Sequence, residues 1–217
     1  MITPLPFDSA LFGYSVGKCV VGQGWTETGF LIEAKGFQLV YLFSDAPIEP
    51  LSPRFSLVDT KLIFEKKLCG LSETKPEIRA YVGGVTDGLL ALAMESGIFS
   101  RFKTDQGFTE GEFEKLYGKW IEMALEKEVV FMGPKGEGLV SVSVEGAQGK
   151  IGLLAVEAAH RGQGWGKRLV QAAEYYAHEK GADCLLIPTQ EANVPACSLY
   201  RAMGYSKAQR QFVYHYR

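Results

Sequence analysis

The segment Val156-Glu-Ala-Ala-His-Arg161-Gly162-Gln163-Gly164-Trp165-Gly166-Lys167 places three closely spaced glycines and two cations where an apolar strand pattern gives way to a helical one. A strand that runs through such glycines into a helix leaves unpaired backbone N–H groups, and the positive end of a helix dipole, around whatever sits there. The expected guest is an anion, and phosphate suits the site best. Glycine lets the backbone approach without a Cβ in the way, while Arg161 and Lys167 add full positive charges. Two phosphate-binding patterns do not fit. A P-loop needs G-x-x-x-x-G-K-[ST], but three residues separate Gly162 from Gly166, and Arg168 stands where a hydroxyl should hold magnesium. A dinucleotide fingerprint needs its third glycine one residue later, in a β-α-β chain. A second constellation follows at Asn193-Val-Pro-Ala196-Cys-Ser-Leu199-Tyr200-Arg-Ala-Met-Gly204-Tyr205. There Asn193 suits a helix N-cap, and Tyr200 lies about two turns further on the same face.

The elements that must position these residues follow from periodicity. Gly164 to Lys180 reads as a helix with Leu169, Val170, Ala173, Tyr176 and Ala177 inward and Gly181 as its C-terminal cap. Before it, Val129 to Met132, Gly138 to Glu145 and Lys150 to Val156 read as a strand meander joined by glycine-containing turns. After it come a strand at Cys184 to Ile187, a helix at Pro195 to Met203 and a strand at Tyr205 to Tyr216. Upstream, Glu77 to Val82 reads as a strand, and Thr86 to Glu95 and Thr109 to Lys127 as helices, the second carrying Phe113, Tyr117, Trp120 and Ile121 inward. The polar stretch 70-GLSETKP-76 marks a boundary. It divides a small α/β unit of order β-α-β-β, residues 1–72, from a larger domain, residues 73–217. In the small unit Val16 to Val21 and Gln38 to Phe43 read as strands around a helix at Glu27 to Lys35. Val58 to Leu68 closes it, with Val58, Leu62, Phe64 and Leu68 on one parity. The fold class is α/β (α+β), with a mixed, largely antiparallel sheet flanked by helices.

Arg161-x-x-Gly164-x-Gly166 at a strand-to-helix junction resembles the pyrophosphate loop of the GCN5-related N-acetyltransferases, and Asn193 to Tyr205 is similar to that family's N-x-x-A-x-x-L-Y-x-x-x-G-[FY] element. The resemblance implies acetyl-CoA as cosubstrate, with no metal. It would be held by Leu154, Ala155 and Val156 of the strand, by Arg161, Gly162, Gln163, Gly164, Trp165, Gly166 and Lys167 of the loop, and by Asn193 and Ala196 beside the pantetheine arm. Tyr200 is then the catalytic acid that protonates the departing thiolate. Ala158 departs from the proline commonly found there, with little consequence for a loop that binds through its backbone. Acetyl transfer passes through an oxyanion that backbone donors near Val156 can stabilise, and tyrosine is a fair match in pKa to the leaving thiol. Pro6 to Gly13, Val58 to Lys67, Ser100-Arg101-Phe102-x-x-Asp105-x-x-Phe108 and Tyr117-x-x-Trp120-Ile121 further resemble the branch of TDP-fucosamine acetyltransferases. That branch implies a nucleotide-linked 4-amino-4,6-dideoxy sugar as acceptor, a substrate contact at Arg101, a role in polysaccharide biosynthesis and a homodimer.

Composition sets the limits. With 217 residues, 47% hydrophobic and 22% charged, the chain buries a core, and a net charge of -2 offers no basic field for nucleic acid. No basic start precedes an apolar run and no run reaches the ~18 residues of a membrane span, so a cytoplasmic protein without membrane partners is expected. Four cysteines without a C-x-x-C pair are read as free thiols, and His160, His178 and His215 show no metal-ligand spacing. Plain structural readings stand beside the chemical ones: a tight turn at the glycines, a core aromatic at Tyr200, a solvated loop charge at Arg101. Rival functions are acetylation of protein amino termini or of other small amines, and acyl-CoA binding without turnover. The group that deprotonates the acceptor ammonium is left open.

Overall fold

A computed structural model of the chain describes residues 1–69 and 77–217. The boundary expected at 70–76, and with it the division after residue 72, lies outside the described residues.

The elements in chain order are β1 (Thr3–Pro4), α1 (Pro6–Phe12), β2 (Val16–Val20), α2 (Glu27–Glu33), β3 (Leu39–Ser44), β4 (Phe55–Lys67), β5 (Arg79–Ala80), α3 (Asp87–Ser96), α4 (Arg101–Thr104), α5 (Glu112–Lys127), β6 (Val129–Met132), β7 (Gly138–Glu145), β8 (Gln148–Val156), α6 (Trp165–Glu179), β9 (Cys184–Gln190), α7 (Val194–Ala202) and β10 (Ser206–Tyr216). The short helices α1 and α4 carry too few turns to show a helical period. The strand expected at Glu77 to Val82 is reduced to the two residues of β5.

The strands form one ten-stranded sheet in the order β1-β2-β3-β10-β4-β9-β8-β7-β6-β5. Pairing is antiparallel except between β2 and β3 and between β8 and β9. The strands upstream of residue 70 therefore share a sheet with those downstream, and β4 lies inside it, hydrogen-bonded to β10 on one side and β9 on the other.

Alternation along the strands feeds two faces. On one face Leu62, Phe64, Val140 and Val142 pack with Leu169, Val170 and Ala173 of α6 and with Tyr200 of α7. On the other, Leu139, Leu153, Ala155 and Val213 pack with Leu89 and Leu92 of α3 and with Phe113, Leu116 and Ile121 of α5. Val58 breaks its expected parity. A bulge opposite Val213 and Tyr214 inserts an extra residue there, and Val58 packs on the α3–α5 side while Leu62, Phe64 and Leu68 stay on the α6 side.

Two irregularities open the centre of the sheet. β8 and β9 pair only from Gln148 with Cys184 to Lys150 with Leu186, so the rest of β8 has no strand on that side. Beyond that point a register shift against β7 falls between Ile151 and Leu154. There the Leu153 N–H donates to Ser141 Oγ at 2.9 Å, and a Cβ on Gly152 would stand 2.8 Å from that oxygen.

Candidate active site

The splay between β8 and β9 leaves a cleft of about 450 Å³ whose walls come from β8, the glycine loop, α3 and α7. Leu154, Ala155, Val156, Arg161, Gly162, Gly164, Trp165, Gly166, Lys167, Asn193, Ala196 and Tyr200 all border it, so the structure brings together nearly every residue expected to bind or react there. Gln163 is the exception: its side chain turns back into the loop, where Nε2 donates to the Ala159 carbonyl at 3.0 Å.

The glycines act differently from one another. Gly162 and Gly164 have φ of 74° and 82°, the left-handed region, and Gly164 caps the start of α6. Gly166 sits in close packing, since a Cβ there would meet Leu199 Cδ2 at 3.0 Å and that side chain would have to give by a few tenths of an ångström. Arg161 does not point freely at a guest. Its guanidinium pairs with Glu95 of α3 and its Nε donates to the Val156 carbonyl at 3.3 Å, tying the loop to the rest of the cleft. Among the described residues Lys167 makes no ion pair. It borders the cleft beside the first turn of α6, where the helix dipole also favours an anion.

Asn193 caps α7 as expected, its Oδ1 accepting the Ala196 N–H at 3.2 Å. The cap fixes the helix that carries Tyr200. Tyr200 is 3% exposed and packs its ring 5.5 Å from that of Phe64. It is a core aromatic and also a cavity residue, because it borders both the cleft and a second cavity. Burial pushes its phenol well above the ordinary tyrosine range, which keeps the proton in place.

The second cavity, about 200 Å³, shares Ser96, Leu154, Asn193 and Tyr200 with the cleft and lies under α3, α4 and α5. Arg101 borders it as the first residue of α4. Its guanidinium sits 4.3 Å from the ring centre of Phe102 and 4.8 Å from that of Tyr41, so it is not a solvated loop charge. Two further residues that the sequence reading did not single out, Asp59 and Lys61 of β4, also border it. Burial raises the Asp59 carboxyl to about 6, against the opposing pull of Arg101 and Lys61. The signal that would have found them is weak. Both sit on the polar parity of a strand, a pattern that normally faces water, and only the placement of β4 inside the sheet puts them under helices. A donor seated along the glycine loop and an acceptor in the second cavity would meet at Tyr200 and Leu154. Among the described residues there is no cluster of His, Cys, Asp and Glu able to hold a metal.

Residues 113–205 match the acetyltransferase (GNAT) family. N-alpha-acetyltransferase 30 of Saccharomyces cerevisiae is 37% identical over 68 residues, 31% of this chain and 39% of that protein. Streptothricin acetyltransferase of Streptomyces lavendulae is 32% identical over 106 residues, 47% of this chain and 54% of that protein. The chain thus spans about half, or less, of these curated relatives. Among solved structures, a GCN5-related N-acetyltransferase from Kribbella flavida aligns with a TM-score of 0.55 at 14% identity, covering 93% of this chain and 81% of that one. Another from Sphaerobacter thermophilus aligns at 0.53 and 17% identity, covering 82% and 59%. The chain has the GNAT fold, a mixed sheet flanked by helices. Among the described residues no helix is long and apolar enough to cross a membrane.

Proposed function

We propose that the protein is an N-acetyltransferase that moves the acetyl group of acetyl-CoA to the primary amine of a small molecule. The observation that carries this reading is the meeting of two cavities at Tyr200, one walled by the glycine loop and the other lined by the half-buried carboxylate of Asp59. Acetyl-CoA supplies an activated thioester and an anionic pyrophosphate. The cleft suits it: left-handed glycines and the first turn of α6 present N–H groups to the pyrophosphate, Lys167 adds charge, and the unpaired edge of β8 offers backbone partners to an extended arm. Tyr200, kept protonated by burial, gives its proton to the departing sulfur. Asp59 takes the proton from the acceptor ammonium, the role the sequence left unfilled; a carboxylate near 6 is ionised at neutral pH yet basic enough to serve.

The acceptor we favour is a nucleotide-linked 4-amino-4,6-dideoxy sugar, in a cytoplasmic, dimeric enzyme of polysaccharide biosynthesis. What supports it is the likeness of Pro6 to Gly13, Val58 to Lys67 and Ser100 to Ile121 to the TDP-fucosamine acetyltransferase branch, since these segments carry Asp59, Lys61 and Arg101. Release of free thiol from acetyl-CoA, followed with a panel of amines that includes TDP-4-amino-4,6-dideoxy sugars, protein amino termini and simple amines, tests activity and acceptor together. Turnover with the nucleotide sugar is expected. Turnover only with peptides moves the acceptor, and acetyl-CoA binding with no turnover on any amine leaves a binding protein.

A further inference from the structure

The second cavity is electrostatically unbalanced. Lys61 and Arg101 line it with Asp59 as the remaining charged group, and among the described residues none of the three makes an ion pair. Arg101 is held by ring faces, those of Tyr41, Phe43 and Phe102, and its Nε is buried without a partner among the described residues. Ring faces stabilise a cation but leave its N–H donors unused. Burial lowers the affinity of both Lys61 and Arg101 for their protons; at Lys61 the repulsion of Arg101, Lys150 and Lys18 adds to it, whereas at Arg101 the neighbours Tyr41, Asp59 and Asp8 oppose it. Asp8, outside the lining, offsets part of the Arg101 charge, but within the cavity one carboxylate faces two half-buried cations, and Lys18 and Lys150 leave positive charge concentrated at Lys61, where unmatched charge is costly.

A simple alkylammonium entering this space would gain one carboxylate and face two cations. An amine that brings its own negative group would offset them. The cavity holds about 200 Å³, below the ~300 Å³ at which sites for drug-sized ligands begin, so the amine and the negative group must lie within a few bonds or one ring of each other. We infer that the cavity selects amines carrying a nearby anionic group, a carboxylate or a phosphate ester, with Lys61 and Arg101 holding the anion while Asp59 faces the amine. The inference rests on the acetyltransferase reading, and it makes Lys61 a specificity-determining residue.

Matched acceptor pairs test it: serine against serinamide for a carboxylate, and a TDP-4-amino-4,6-dideoxy sugar against its neutral methyl glycoside for a phosphate. In thiol-release assays the wild-type protein should favour the anionic member of one pair by at least about tenfold in kcat/KM. The pair that shows the preference identifies the source of the anion. Lys61→Met should remove most of that preference through KM, with a smaller loss for the neutral member because Lys61 also holds the Asp59 carboxyl down, and Lys61→Arg should retain it. Equal use of neutral and anionic acceptors, or an equal loss for both members in Lys61→Met, overturns the inference. Trp120 borders the cavity, so its fluorescence, titrated with the same four compounds without acetyl-CoA, reads selectivity independently of turnover. If no compound is acetylated, the activity reading fails by itself, and the titration still decides: tighter binding of the anionic member, lost in Lys61→Met, upholds charge selection, and equal or absent binding of both members overturns it.

Discussion

Tyr200 and Asp59 line one cavity, and the same force acts on both. Burial disfavours the charged form of each, so the phenol stays protonated but is a weaker acid than a free tyrosine, and the carboxylate becomes a stronger base. Tyr200→Phe should therefore lower kcat by about 10²-fold with little change in acetyl-CoA affinity, measured by steady-state rates beside calorimetric titration. Asp59 accepts a proton only when ionised, and its folded value is about 6. The rate should accordingly fall, one proton at a time, as pH drops through about 6. Asp59→Asn should cut the rate by a similar ~10²-fold and erase that acid limb. An unaltered pH profile in the variant would remove Asp59 from the mechanism.

The loop before α6 and the segment around α4 are held by backbone conformation and by charge. Gly164, with φ of 82°, starts α6 in a conformation that costs an L-residue about 1–2 kcal/mol and costs a β-branched one more. Gly164→Val should weaken acetyl-CoA binding at least tenfold by calorimetry while leaving the fold intact, because no atom stands within 4 Å of the added Cβ position. The stretch after α4 is pinned by Asp105, whose Oδ2 contacts His215 Nδ1 at 2.5 Å and receives Arg217 Nη1 at 2.6 Å. Burial alone would raise the Asp105 carboxyl, but the bonds from His215, the Gly107 N–H and Arg217 outweigh it and hold the group well below the usual carboxylate range. A depressed folded value means stability that is present above the unfolded pKa of about 3.9 and lost as pH falls below it. Asp105→Asn should cost about 3 kcal/mol at neutral pH in urea unfolding, and the gap to wild type should narrow as the pH approaches 3.

The whole molecule is organised around β4. It pairs with β10 over most of its length and with β9 from Lys61 to Lys67, so removing it would strip a central strand from the sheet and expose Leu62 and Phe64 partners on α6 and α7. A chain of residues 77–217 alone should fail to show a cooperative thermal transition by circular dichroism. A sharp transition would mean that the larger domain read from the sequence stands by itself.

Much of the donor side was legible in the amino-acid order because it is local. The glycines, Arg161 and Lys167, the cap at Asn193 and the inward stripe of α6 all lie within one loop or one helix, where spacing translates directly into geometry. Even there contacts distant in sequence redirected some residues: Glu95 takes up Arg161, and Leu199 explains Gly166. The acceptor side was legible only in part. Arg101 was marked by its surrounding motif, but Asp59 and Lys61 read as the wet face of a strand, and a bulge at Val58 shifts the face on which the residues around it point. By itself, then, the sequence determined the longer helices, the strand meander and the anion-binding turn, whose preferences are set by near neighbours. Only the tertiary structure decided that β4 runs between β9 and β10, because strand pairing is chosen by long-range packing, and that choice turns two ordinary surface-type residues into the charged lining of a half-buried cavity.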